Sequence, residues 1–187
     1  MNTEEFLDRV LQNPVNRAIL VRLPLLDLRD AWLVSGALFQ TVWNTLCGFA
    51  PQHGIKDYDI FYFDPDTAWE SEDREIRRAR AAFHDIDADI ELRNQARVHL
   101  WYEGKFGTPY PKLTCATDGI DYFLMHSAQV GIRFVDGRFS LYAPHGLDDI
   151  AAMIVRPNQT ANFQADRYRE KTERWKGLWP ALTILPA

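Results

Sequence analysis

The sequence predicts an α+β fold, a mixed central sheet flanked by helices and continued by a C-terminal hairpin and helix. Three stretches carry that expectation. The apolar run Ala31–Val34 meets Ser35-Gly36 and then apolar residues at helical spacing up to Gly48, which reads as strand, tight turn, helix. Ile55–Phe63 places two aspartates, Asp57 and Asp59, at the head of a run rich in β-branched and aromatic residues. Gln129–Phe134 and Arg138–Tyr142 flank Asp136-Gly137, the dipeptide of a two-residue hairpin.

The elements follow in order. Residues 3–12 form an amphipathic helix capped by Thr3, and Asn13-Pro14 ends it. A second helical pattern runs from Val15 to Val21. After the D-x-D strand, Asp64-Pro65 is a stop, and Trp69–Phe83 is a helix with acids in front and arginines behind, as the helix dipole favours. Its arginines form a solvated face or grip a nucleotide or nucleic-acid partner. Ala88–Leu92 alternates as a strand, and Gly104–Lys112 reads as a mobile loop over a cleft. Thr117–Ser127 is helical, Leu147–Met153 is a short helical turn with Asp148 and Asp149 at its start, and Asn162–Trp175 is the last helix. With no repeat and no long linker, all 187 residues make one domain, with a core about 15–102 and an α/β extension about 113–187.

Composition narrows the function. Hydrophobic residues make up 47% and charged residues 25%, near the globular average, so the chain is not disordered. A net charge of -5 argues against bulk nucleic-acid binding. Cys47 and Cys115 lack C-x-x-C spacing and read as reduced thiols in a cytoplasmic protein. No run is long and apolar enough to span a membrane, and the N-terminus has no leader pattern, so no membrane partner is expected.

The chemistry concentrates at the D-x-D strand. Side chains alternate along a strand, so Asp57 and Asp59 share a face. Two carboxylates held together raise each other's pKa unless a cation or donors intervene; a metal ion or a solvated strand end both satisfy them. Glu91, between Ile90 and Leu92, is the third carboxylate if its strand lies beside the first. In an extended chain Arg93, Arg97 and His99 fall on the same side as Glu91 and form a site edge; taken singly each is also an ordinary surface arginine or satisfied histidine. The Ser35-Gly36 turn presents helix N-terminal N–H groups to an anion, or is small for packing alone.

Taken together, a small residue-Gly turn opening a helix, then hDxDhhh, then h[DE]h, resembles the polymerase-beta-like nucleotidyltransferase superfamily. The resemblance is closer to an uncharacterised bacterial nucleotidyltransferase-like group, through Trp32–Trp43, Asp57–Asp64, Asn94–Trp101 and Ala143–Asp149 in that order. It implies a triphosphate-holding turn at Ser35 and Gly36, and two divalent metals, Mg²⁺ or Mn²⁺, on Asp57, Asp59 and Glu91. It also implies transfer of an NMP from an NTP to an acceptor (protein, RNA or small molecule), with Arg93, Arg97 and His99 on substrate or leaving phosphate. The superfamily turn is usually Gly-Ser, whereas here Ser35 precedes Gly36 and Ala37 follows. Two alternatives stand beside this reading: a catalytically silent nucleotide-binding or antitoxin-like module of the same fold, and a metal-dependent phosphohydrolase.

Overall fold

A computed structural model describes residues 1–187. Its five-stranded sheet has the order β3-β2-β1-β4-β5, formed by β1 (Trp32–Val34), β2 (Tyr58–Tyr62), β3 (Ile90–Asn94), β4 (Gly131–Val135) and β5 (Arg138–Tyr142). Strands β2 and β3 run parallel and the other neighbours antiparallel, so the sheet is mixed. The α+β expectation holds. Parallel β2 and β3 need a crossover, and α4 (Trp69–Ala82) supplies it. Strands β4 and β5 turn through Asp136 and Gly137, both at positive φ (52° and 74°), the backbone of the hairpin turn that this dipeptide favours. That hairpin pairs with β1, so the second half of the chain continues the main sheet.

Register assigns the faces. Leu33 and Leu92 flank Ile60 on one face, and all three enter the large core. Helices α1 (Thr3–Val10), α2 (Pro14–Arg22) and α3 (Gly36–Cys47) contribute Phe6, Ile19, Leu38 and Trp43 to it. The cap of α1 is Asn2, one residue before the expected Thr3. Asn2 Oδ1 accepts the Glu5 N–H at 2.9 Å, and Glu5 answers on the Asn2 N–H at 3.0 Å, a reciprocal pair that Thr3 is too late to make. Asn13 then caps α2 with Pro14 in its first turn, and its Nδ2 donates to Thr41 Oγ1 (3.1 Å) and Tyr58 Oη (3.2 Å). This buried amide ties α2, α3 and the start of β2 together, which steadies the backbone on either side of Tyr58.

The opposite face carries a smaller cluster of Trp32, Val34, Ala116 and Ile120, the last two from α6 (Ala116–Asp121). The helix expected over Thr117–Ser127 stops at Asp121 because Gln129 Nε2 (2.7 Å) and Asn158 Nδ2 (2.8 Å) bond to the Asp121 carbonyl. The loop expected at Gly104–Lys112 begins inside a short helix, α5 (Tyr102–Phe106), whose two aromatic rings pack 4.6 Å apart. After α7 (Asp148–Ala151) come β6 (Ile154–Val155), α8 (Ala165–Leu178) and β7 (Thr183–Ile184). The two-residue strands β6 and β7 pair in parallel and are too short to leave a periodic signal. Trp175 of α8 and the following Trp179 stack edge-on against Trp43, so the last helix is locked onto α3.

Candidate active site

The site grows out of one edge of the main sheet. Val34 ends β1 and pairs with Asp59, and Asp59 in turn pairs with Glu91 across the parallel ladder. Directly paired residues share a face, so Asp59 and Glu91 stand side by side on the face opposite the large core. Asp57 lies two residues earlier on that face, just before β2 begins, and is exposed. Ser35 and Gly36 follow Val34 immediately. The turn and the acids therefore meet at one sheet edge, as their order in the chain suggested.

Ser35 sits at φ 55°, ψ -121°, a conformation costly for a side chain-bearing residue, on the order of 1–3 kcal/mol. Its own N–H donates to the Val130 carbonyl at 2.9 Å. The N–H groups of Gly36 and Ala37, at the start of α3, have no intrahelical acceptor, and Gly36 lines the cleft at the positive end of that helix. Gln40, one turn further on, lies over Gly36 with its Oε1 buried and unpartnered.

A cleft of about 250 Å³ opens here, lined by Ser35, Gly36, Gln40, Asp57, Asp59 and Arg93 on its polar side. Tyr102, Phe106, Tyr110 and Tyr122 also line it, with the Tyr110 ring tilted against Tyr102 at 4.4 Å and against Tyr122 at 5.0 Å. Burial, followed by the charges of Asp57 and Glu91, pushes Asp59 up from 3.8 to about 7, against the opposing pull of Lys171 and Arg93. Glu91 is turned to Arg93, whose Nη2 donates to Glu91 Oε2 at 2.9 Å, and Glu91 does not line the cleft itself. The three carboxylates are neighbours without converging as a closed ligand cage.

Arg97 and His99 do not share the face of Glu91. The extended chain expected beyond β3 becomes a 3-10 turn at Gln95–Leu100, because Asn94 Oδ1 accepts the Ala96 N–H at 3.1 Å and caps it. The turn buries Arg97 in an ion pair with Glu72 of α4, while Glu72 Oε1 accepts the Asn94 N–H at 2.9 Å. His99 occupies the same turn with its Nδ1 buried and unpartnered, and neither residue reaches the cleft. Of the three expected edge residues only Arg93 is there.

The opposite wall is one that the sequence reading left without a role. Arg167, Lys171 and Arg174 on α8 line the cleft facing the acids. Their spacing puts them on one stripe, flanking the buried Tyr168, Thr172 and Trp175 that anchor the helix. None of the three has a carboxylate within ion-pair distance. Burial and then the charges of Arg167 and Arg174 lower the Lys171 pKa, with Asp57 and Asp59 pulling the other way. Arg167 lies 3.9 Å over the Phe106 ring, which fixes its guanidinium. The available signal was three cations at i, i+4 and i+7 beside an apolar stripe.

A mixed sheet with carboxylates on adjacent strands, a helix N-terminus at the same edge and a cationic helix opposite has the architecture of a nucleotidyltransferase core. The sequence model of the nucleotidyltransferase family matches residues 22–184, and the chain belongs to that family. Among solved structures it is similar to a protein whose NMR structure is described as revealing a CCA-adding enzyme head domain. The TM-score is 0.81 at 27% identity, covering 100% of this chain and 97% of the other. This fixes the fold as polymerase-beta-like. No curated protein matches the sequence. No helix is long and apolar enough to cross a membrane.

Proposed function

We propose that the protein is a metal-dependent nucleotidyltransferase that moves an NMP from an NTP to an acceptor hydroxyl and releases pyrophosphate. One observation carries this reading: Asp57 and Asp59 on one wall and Arg167, Lys171 and Arg174 on the other, none with an ion-pair partner, line a single cleft. Burial first, and then its acidic neighbours, raise Asp59; burial first, and then its basic neighbours, lower Lys171. A metal-bound polyphosphate is a ligand that relieves both, offering cationic metal to the acids and anionic oxygens to α8.

The donor set fits a hard divalent cation. Asp57, Asp59 and Glu91 offer only oxygen ligands, which suit Mg²⁺ or Mn²⁺, and neither Asp57 nor Asp59 has a cation within ion-pair distance. When bound, the metal supplies neutralisation of phosphate charge and a lowered pKa for the acceptor hydroxyl. The protein's own groups do the rest. Gly36 and Ala37 N–H groups receive phosphate oxygens, Arg93 orients Glu91 and reaches the substrate, and the cleft walls hold donor and acceptor in line. Arg97 acts at one remove, by holding the end of β3 through Glu72.

A second reading, a nucleotide-binding module without transfer, draws on the Ser35 N–H already committed to Val130 and on the absence of a hydroxyl at Gly36. Incubation with each labelled NTP, Mg²⁺ and a cell lysate separates the readings. Transfer leaves label on an acceptor with pyrophosphate released, and Asp57→Asn or Asp59→Asn lowers the rate by at least about 10³-fold. Binding by calorimetry with no pyrophosphate released supports the silent module instead, and free monophosphate supports a hydrolase.

A further inference from the structure

Two neutral groups of the cleft have no partner in the fold. Oε1 of Gln40, on α3, and Nε1 of Trp175, on α8, are buried without a hydrogen bond, in side chains only 6% and 4% exposed. Both side chains line the cleft. The seam between the two helices brings them together: the Trp175 ring packs edge-on against Phe39 at 5.1 Å and Trp43 at 5.8 Å, and Gln40 lies between those two residues on α3. The other end of the Gln40 amide is turned over Gly36, where a Cβ would stand 3.0 Å from its Nε2. Buried polar groups without partners are costly, so each of the two calls for a ligand atom. Their chemistry says which kind. An amide oxygen only accepts and an indole N–H only donates. A phosphate oxygen satisfies the indole alone and an ammonium group the amide alone, whereas one hydroxyl accepts from Trp175 and donates to Gln40.

We propose that Gln40 and Trp175 form a hydroxyl-reading pair that selects nucleotides with an intact ribose. The choice of the sugar as the source of that hydroxyl rests on the transferase reading, which puts a phosphate at the Gly36 turn. Gln40 stands over that turn, and the sugar is the part of a nucleotide joined directly to its phosphate, whereas the base lies beyond the sugar. No bond forms or breaks at this pair, which acts by binding alone. A deoxynucleotide that lacks the hydroxyl leaves both groups buried and unpaired, and a site built to hydrogen-bond a hydroxyl rejects the analogue without it. The substrate class is therefore the ribonucleoside triphosphates, preferred over their deoxy forms. The pair is independent of the ionic groups around it, because neither member carries a charge.

The test is calorimetric titration, with Mg²⁺ and no acceptor, of each of the four NTPs beside its 2′-deoxy and 3′-deoxy counterparts. At least one deoxy form is expected to bind the wild type about tenfold or more weakly than the parent NTP. Gln40→Met, close in shape, and Trp175→Phe, which keeps an aromatic ring, should each bring that ratio to within about threefold by weakening the NTP. Thermal melts without ligand separate selection from packing. Gln40→Met melts no lower than wild type, because its Oε1 gives up no hydrogen bond of the fold, and it is the independent variant if Trp175→Phe disturbs the core. Equal binding of all three sugars to wild type overturns the selection and assigns the gap between the two groups to water. A sugar ratio indifferent to both variants also overturns it, and a fall in transfer alone then assigns the pair to the acceptor's hydroxyl. A Gln40→Met protein that melts lower and weakens all three sugars alike overturns it as well. Transfer of label from NTP is scored in parallel with Asp59→Asn. Sugar selection that follows the variants without any transfer keeps the pair and sinks the transferase reading. Transfer that depends on Asp59 and uses ribo- and deoxynucleotides alike does the reverse, and no binding of any nucleotide overturns both.

Discussion

Helices α4 and α8 are both crowded with arginine, and they use it in opposite ways. On α4 three of the four arginines are answered at home, Arg80 being the exception: Arg74 and Arg78 pair with Glu75, Arg77 with Asp73, and Glu72 takes in Arg97 from the end of β3. On α8 only the exposed Arg169 has a carboxylate partner, Asp166, and Lys176 donates to the Pro180 and Leu182 carbonyls, while the three cations of the cleft-facing stripe have no carboxylate. The charge of α4 is spent within the fold, and that of α8 is left for something that enters the cleft. A count of arginines does not distinguish the two helices; the positions of the carboxylates do.

The largest way to break this comparison is on α4. Glu72→Ala leaves Arg97 buried without its carboxylate and the Asn94 N–H without its acceptor. Loss of one partner of a buried ion pair costs about 3–5 kcal/mol, so the denaturant midpoint should fall sharply without any change at the residues that line the cleft. A shift below about 1 kcal/mol, within the range of surface pairs, contradicts the structural role given to this pair.

The next effect belongs to the acids that face α8. The folded pKa of Asp59, about 7, lies above its ordinary 3.8, so the unfolded chain ionises first as pH rises. Its contribution is fully present below about pH 4 and is lost as pH climbs through about 7. Asp59→Asn removes that loss. In metal-free buffer the variant should be more stable than wild type at pH 8, by on the order of 2–4 kcal/mol, and no different at pH 4. Urea unfolding at the two pH values reads this directly; equal stability at pH 8 means that the acids are already neutralised by the protein. Added Mg²⁺ should raise the wild-type melting temperature more than that of the variant.

The acid half of the site was legible in the sequence because strand alternation and neighbouring strands are local patterns. Asp57, Asp59 and Glu91 announce a shared face, and the register Val34–Asp59–Glu91 follows from two strands and a crossover. The Asp136-Gly137 hairpin was readable for the same reason. Arg97 and His99 were not, since their direction depends on whether Asn94 continues β3 or caps a turn, and its Oδ1 decides for the turn. The α8 wall was out of reach in a different sense. Its three cations lie far along the chain from Asp57, and what brings them together is the packing of Trp175 and Trp179 on Trp43, a long-range contact with no periodic signal.

The smallest effects sharpen the contrast most, because they pit like substitutions against each other. Arg77 is exposed and bound to Asp73 one turn away, so Arg77→Ala should move stability by no more than about 0.5 kcal/mol and leave nucleotide affinity untouched. Lys171→Met also deletes one helical cation, but from a half-buried position where Arg167 and Arg174 already oppose its charge. Its removal should leave the metal-free protein as stable as before, or stabilise it by up to about 1 kcal/mol, while Mg²⁺–NTP affinity falls about tenfold. Stability and affinity then move apart on α8 and stay together on α4. Equal losses of stability from both substitutions mean that Lys171 is held by the acids of β2 as firmly as Arg77 is held by Asp73, and that the cationic wall is a scaffold with no charge to spare for a phosphate.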